Sequence, residues 1–157
     1  MPPKPIVDLS TIDLSTIEAG VDDIRKYNPQ RHEFEQLDGI IHYDKEEEYV
    51  VGVKEVTDDE FWVRGHIPGR PLFPGVLMCE AAAQLCSYYF KRTAQEEGFF
   101  GFGGMDDVKF RATVEPGDRL IIVAKLHRIS RRVCIMDCQE FVGEKMAFQG
   151  RITGLPV

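Results

Sequence analysis

The period of apolar and polar positions changes several times along this chain, and the changes divide it. Residues 1–20 hold no sustained period, only a short echo: Val7-Asp-Leu-Ser-Thr11 followed by Ile12-Asp-Leu-Ser-Thr16. A stacking repeat needs units of about twenty residues or more, so the echo is no solenoid. The stretch reads as a surface arm or a first-turn cap signal, with Asp and Ser as helix starters. Asp22–Tyr27 predicts a short helix, ended by Asn28-Pro29. From Ile40 the pattern is strand-like. Ile40–Tyr43 and Tyr49–Val56 flank the charged turn Asp44-Lys-Glu-Glu-Glu48, and Phe61–Arg64 is a short third run.

Gly75–Phe90 is the one strong helical signal. Good helix formers fill its centre, and it is apolar nearly all round, which marks a buried helix. Lys91–Glu97 carries it on into solvent, and Gly98–Gly104 reads as a Gly/Phe loop. Four strand candidates follow: Val108–Val114, Leu120–Ile129, Val133–Val142 and Lys145–Ile152. Pro116-Gly117-Asp118, Ser130-Arg131 and Gly143-Glu144 separate them as turns. Strands joined by short turns pair antiparallel. A long sheet with a single buried helix predicts an α+β domain whose sheet wraps around that helix. The expected organisation is an N-terminal extension over 1–20 and a single domain over 21–157.

Composition narrows the classes. The length of 157 residues fits one domain, and 43% apolar with 29% charged residues is ordinary for a folded globular protein. A formal net charge of −7 argues against nucleic-acid or anionic-membrane partners. No run reaches the roughly 18–20 apolar residues of a membrane span. Met1–Pro5 holds three prolines with no apolar stretch behind it, which argues against a secretory signal. A cytoplasmic chain is expected. The four cysteines, Cys79, Cys86, Cys134 and Cys138, form no C-x-x-C pair and have no His at zinc-finger spacing. They read as reduced, buried thiols, with no metal site.

The chemistry concentrates in the middle. Glu80 is the only charged residue in Gly75–Phe90. A buried carboxyl responds to its surroundings by holding its proton to higher pH, which suits a general acid. Gln84 lies four residues on and can hydrogen-bond it. The plain alternative is that both sit on the helix's one wet stripe. His66, in Gly65-His-Ile-Pro-Gly69, lies on a backbone stiffened by proline, and its titration suits a base near neutral pH. Taken by itself, that pattern fits a loop histidine without a role better. Pro74-Gly75 opens the helix, where unpaired N–H groups stabilise negative charge and glycine permits close approach. Ordinary helix initiation explains the same residues. Together a base, an acid and an N–H donor are the parts that elimination of water from a 3-hydroxyacyl thioester needs, without metal or cofactor.

These residues carry a resemblance. Gly65-His-Ile-Pro-Gly-Arg-Pro-Leu-Phe-Pro-Gly-Val-Leu-Met-Cys-Glu-Ala-Ala-Ala-Gln84 closely resembles the central motif of the FabZ-type 3-hydroxyacyl-acyl-carrier-protein dehydratases. Glutamate at position 80 is similar to the FabZ type; the related dehydratase–isomerases have aspartate there. Pro29-Gln-Arg-His-Glu-Phe34 with Leu37-Asp38, and Phe102-Gly-Gly-Met with Lys109-Phe110 and Pro116-Gly-Asp118, resemble the flanking segments, from about Asp22 to the C-terminus. Gln30 and His32 stand where the family usually has His and Tyr, and Thr113 where proline is usual.

The resemblance implies a hotdog fold and dehydration of (3R)-hydroxyacyl-acyl carrier protein to the trans-2-enoyl product in fatty acid biosynthesis. It implies His66 and Glu80 as catalytic residues contributed by different subunits of a homodimer, which can assemble further into a hexamer, a trimer of dimers. Gly75 corresponds to the thioester-oxygen donor and Gln84 supports Glu80; Pro74 and Val76 flank them as substrate-binding positions. The carrier protein is acidic, so docking calls for a basic patch. Lys125, Arg128, Arg131 and Arg132, or Lys91 and Arg92, are the candidates. Hotdog domains also serve as acyl thioesterases and as non-catalytic acyl-thioester-binding subunits, and these are the competing readings.

Overall fold

The computed structural model describes residues 3–95 and 97–157. In chain order the elements are β1 (Ala19–Gly20), α1 (Val21–Ile24), β2 (Gly39–Asp44), β3 (Tyr49–Glu55), α2 (Gly75–Ala94), β4 (Phe100–Phe110), β5 (Arg119–Ile129), β6 (Cys134–Val142) and β7 (Lys145–Pro156). The strands form one antiparallel sheet in the order β1-β2-β3-β5-β6-β7-β4. Its concave face wraps α2, the hotdog arrangement that the sequence resemblance implied.

Alternation along the strands sorts the side chains into two cores. Leu120, Ile122 and Ala124 of β5, with Met136 and Cys138 of β6 and Phe148 of β7, face Ala81, Ala82, Leu85, Tyr88 and Tyr89 of α2. Helix and sheet approach closely: a methyl group on Gly52 would lie 3.0 Å from the Leu85 side chain. The other face carries Ile41, Val51, Val53, Ile121, Val123, Phe141 and Met146. Here the N-terminal arm lies down, packing Ile6, Val7, Leu9, Ile12 and Leu14 on it. With both faces covered, the central strands read as continuous apolar runs.

The arm's echo is a structural repeat of one turn. Asp8 Oδ1 accepts from Ser10 N at 3.1 Å, and Asp13 Oδ1 from Ser15 N at 3.0 Å. Asp8 caps a 3-10 turn over Leu9–Thr11. Gln139 holds the arm at one end, donating to Lys4 O at 3.0 Å and accepting from Ile6 N at 2.9 Å, and Arg119 reaches Leu14 O at 2.7 Å.

Several segments differ from their sequence reading. The strand expected over Val108–Val114 is the end of β4 and stops at Phe110, and the helix expected over Asp22–Tyr27 spans Val21–Ile24. Phe61–Arg64 is a turn, not a strand: Val63 N bonds Glu60 O at 3.1 Å, and buried Trp62 packs on Phe73. One deep anchor, not an alternating face, accounts for its apolar residues. Gly98–Gly104 is no loop; β4 begins at Phe100 and runs eleven residues. Its register slips between Phe102 and Gly104 and again between Asp106 and Lys109. Bulges of this kind are where glycine belongs in a strand. Helix α2 stops at Ala94, capped by Gln95 in the left-handed region with φ 52° and its N–H on Lys91 O. The expected continuation therefore falls short of Glu97, and Glu96 lies outside the described residues. All four cysteines are free and buried, with Cys86 Sγ 3.4 Å from Cys138 Sγ across the helix–sheet interface.

Candidate active site

His66 lies on the exposed loop between β3 and α2, but that loop is pinned at both ends. Trp62 and Phe73 are buried, their rings 5.5 Å apart. His66 N donates to Trp62 O at 2.7 Å, Leu72 N to His66 O at 2.9 Å, and Phe73 N to Val114 O at 2.7 Å. His66 Nδ1 is 2.8 Å from Leu72 O. A carbonyl oxygen only accepts, so Nδ1 carries the proton in this contact and Nε2 of the neutral ring holds the free lone pair.

Glu80 projects from the second turn of α2. It is half-buried, and burial pushes its carboxyl above the ordinary range; the hydrogen bond from Gln84 pulls partly the other way. Gln84 Nε2 donates to Glu80 Oε1 at 2.9 Å and to Phe34 O at 2.8 Å, while its Oε1 accepts from Gln36 N at 2.9 Å. The Gln84 backbone carbonyl accepts from buried Asn28 Nδ2, also at 2.9 Å. The segment preceding β2 is thus stitched to the helix at the residue that orients Glu80.

At the helix start, Leu77 N and Met78 N both bond Pro74 O, at 2.9 and 3.2 Å. The Gly75 and Val76 amides precede these and have no intrahelical acceptor. Pro74 is buried and Val76 is 74% exposed. A methyl group on Gly75 would fall 2.9 Å from Phe110 Cε1. The glycine therefore answers first to the ring of β4.

His66 and Glu80 share no hydrogen bond or ion pair within one chain among the described residues; their ring and carboxyl bonds go to Leu72 and Gln84. Glu80 instead lines a cavity of about 240 Å³ between α2 and the β4–β7 edge, whose wall includes Gln30, Ser87, Phe90, Phe100 and Gly154. Sequence reasoning missed Ser87 as a wall residue, although it lies seven positions after Glu80 on the same helical face.

The two basic groups sit at one end of the molecule, because Phe90 stacks on Phe100 with centroids 3.9 Å apart and Cys134 pairs with Gly154. Arg92 is committed: it pairs with Glu18 at 3.2 Å, bonds Tyr88 Oη at 2.9 Å and lies 3.9 Å over the Tyr43 ring. Lys91 bonds Gly98 O. Arg128, Arg131 and Arg132 are exposed at the β5–β6 turn. No helix among the described residues is long and apolar enough to cross a membrane.

A long antiparallel sheet wrapped around one central helix defines a hotdog protein. The chain belongs to the FabA-like family, whose domain matches residues 28–151. It is 33% identical over 133 residues to the 3-hydroxyacyl-[acyl-carrier-protein] dehydratase FabZ of Clostridioides difficile, covering 84% of this chain and 93% of that protein. The protein of the same name from Dichelobacter nodosus is 34% identical over 143 residues, covering 85% and 93%. Among solved structures, the dehydratase heterocomplex ApeI:P of Xenorhabdus doucetiae superposes with TM-score 0.72 at 15% identity, over 85% of this chain and 90% of that one. A Pseudomonas aeruginosa thioesterase superposes with TM-score 0.59, also at 15% identity, over 76% and 81%. At such identities the structural likeness speaks for the fold alone.

Proposed function

We propose that this chain dehydrates a (3R)-hydroxyacyl thioester on acyl carrier protein to the trans-2-enoyl thioester, in fatty acid biosynthesis, with His66 and Glu80 as the acid–base pair. The observation that carries the reading is the Glu80 carboxyl: half-buried, held by Gln84 at 2.9 Å, and facing a cavity that can take an acyl chain. Membership of a family whose curated relatives are named dehydratases supports it.

His66 Nε2 takes the C2 proton. The electron pair moves through the enolate, whose oxygen is stabilised by the free amides at Gly75 and Val76. Protonated Glu80 gives its proton to the departing 3-hydroxyl, which leaves as water. Histidinium and carboxylate then exchange protons with solvent and are reset.

His66 is not among the residues that wall the cavity faced by Glu80, and a second copy would supply it, each site taking His66 from one chain and Glu80 from the other. The outer edge of β4 supports this, for it ends the sheet and exposes Phe102, Met105 and Phe110. Pairing of two such edges would join the sheets. The β5–β6 turn, with Arg131 and Arg132 exposed, is the proposed dock for the acidic carrier.

The test follows ultraviolet absorbance of the conjugated enoyl thioester, starting from a 3-hydroxybutyryl carrier-protein or coenzyme A thioester. Equilibration of the two forms, lost in His66→Ala and Glu80→Gln while the dimer persists, is expected. Release of free thiol would replace this reading with a thioesterase, and binding without turnover would replace it with a binding subunit.

A further inference from the structure

The face that α2 turns to the cavity is a stripe of Glu80, Ala83, Gln84, Ser87 and Phe90. The polar groups of Glu80 and Gln84 on it are engaged with each other and with the backbone before β2. Ser87 differs. It is 7% exposed, its Oγ is sealed from the surface, and that oxygen has no hydrogen-bond partner among the described residues. A buried helical serine ordinarily donates back to the carbonyl four residues earlier, and this one does not. From another element Gln30 joins the same wall, and its Oε1 is likewise buried without a partner.

A plain hydrocarbon chain filling this space would strip both atoms of any chance of a bond, which is the costly way to bury a polar group. Neither oxygen opens on the cavity as placed; a side-chain rotation that turns it to the cavity would let an oxygen on the chain supply the missing partner. The helix rises 1.5 Å per residue, so Ser87 stands about 10 Å along the axis from Glu80.

We propose that the cavity selects an acyl chain that carries a second oxygen, a hydroxyl or carbonyl, along its length, and that Ser87 is the specificity-determining residue for it, with Gln30 as its companion. The proposal rests on the dehydratase reading of the site, and the experiment keeps the two separable.

Two readouts are taken on one set of carrier-protein thioesters: 3-hydroxydodecanoyl, and its counterparts bearing a second hydroxyl at successive carbons from C5 to C11. The first readout is kcat/KM of the native chain and of Ser87→Ala. The second is the dissociation constant of the same thioesters for Glu80→Gln, with and without Ser87→Ala, by calorimetry. The expected result is a preference of about tenfold or more for one dihydroxy chain over the plain one, falling by about tenfold when Ser87 is replaced. A preference near or below one at every position overturns the proposal, as does a preference that Ser87→Ala leaves unchanged. If no thioester is dehydrated, the dehydratase reading fails alone, and the ratio of dissociation constants still decides whether Ser87 selects oxygenated chains.

Discussion

Gln84 Nε2 stands 2.9 Å from Glu80 Oε1, and the same nitrogen is 2.8 Å from Phe34 O. Glu80, the proposed acid, is therefore oriented by a side chain that is itself fastened to the segment ahead of β2. This bond sets the sign of a pH experiment. Glu80 acts as an acid only while protonated. Burial raises its titration, and the Gln84 bond, which favours the carboxylate, lowers it. Replacing Gln84 by Leu removes the lowering contribution. The alkaline limb of kcat/KM is expected to move to higher pH, and the rate to fall about tenfold or more as Glu80 loses its orientation. A pH–rate profile checks this, and a limb moved to lower pH would reject Glu80 as the acid.

Gly75 and Phe110 are similarly bound to each other. A Cβ at position 75 would sit 2.9 Å from the Phe110 ring. Alanine is the better helix former by about 1 kcal/mol, so a neutral site would be stabilised by Gly75→Ala. Overpacking typically costs about 1–3 kcal/mol, and net destabilisation is expected. Adding Phe110→Leu should recover part of the loss, with a coupling above about 0.5 kcal/mol in a denaturant double-mutant cycle. Simple additivity would mean the ring swings aside freely.

Glu140, in β6, is fully buried under α2, and neither carboxylate oxygen has a partner among the described residues. Burial drives its carboxyl well above the ordinary range. Its folded-state titration is thus raised over the unfolded value of about 4.3. The folded chain then holds the extra proton. Stability is fully present below the unfolded value and declines as pH rises toward the folded one, by up to about 1.4 kcal/mol per pH unit from this group. Glu140→Leu should flatten that slope and stabilise the protein at pH 8. Urea denaturation of both chains at several pH values measures it; parallel slopes would refute the assignment.

The β5–β6 turn offers a test of carrier docking. Reversing Arg131 and Arg132 to Glu is expected to raise KM for carrier-borne substrate about tenfold at low salt, with a smaller effect at high salt. KM for the coenzyme A thioester should not change. Equal effects on both substrates would remove this turn as the dock.

Much of this was legible from residue order alone. Helix α2 is too long and too apolar to be anything but a buried helix, and the turns after Ile129 and Val142 separate their strands by ordinary Gly and Ser chemistry. The stretch from His66 to Glu80 is legible because its residues match a family motif. What was illegible depended on distant partners. Phe100–Gly104 reads as loop because its glycines speak for bulges only once β7 is seen beside it. Trp62 reads as strand until Phe73 is found against it. The unpartnered oxygens of Ser87, Gln30 and Glu140 are statements about three-dimensional neighbours, and no pattern along the chain encodes them.

The N-terminal arm has a consequence for where this protein can be cut. Its two five-residue stitches cover a seven-residue apolar face that belongs to β2, β3, β5, β6 and β7, yet the FabA-like domain match begins only at Asn28. A chain trimmed to that match would keep His66, Glu80 and the whole motif between them and still present an oily plate to water. Its insolubility would be mistaken for a fault of the enzyme, when what had been discarded was the other half of a sandwich.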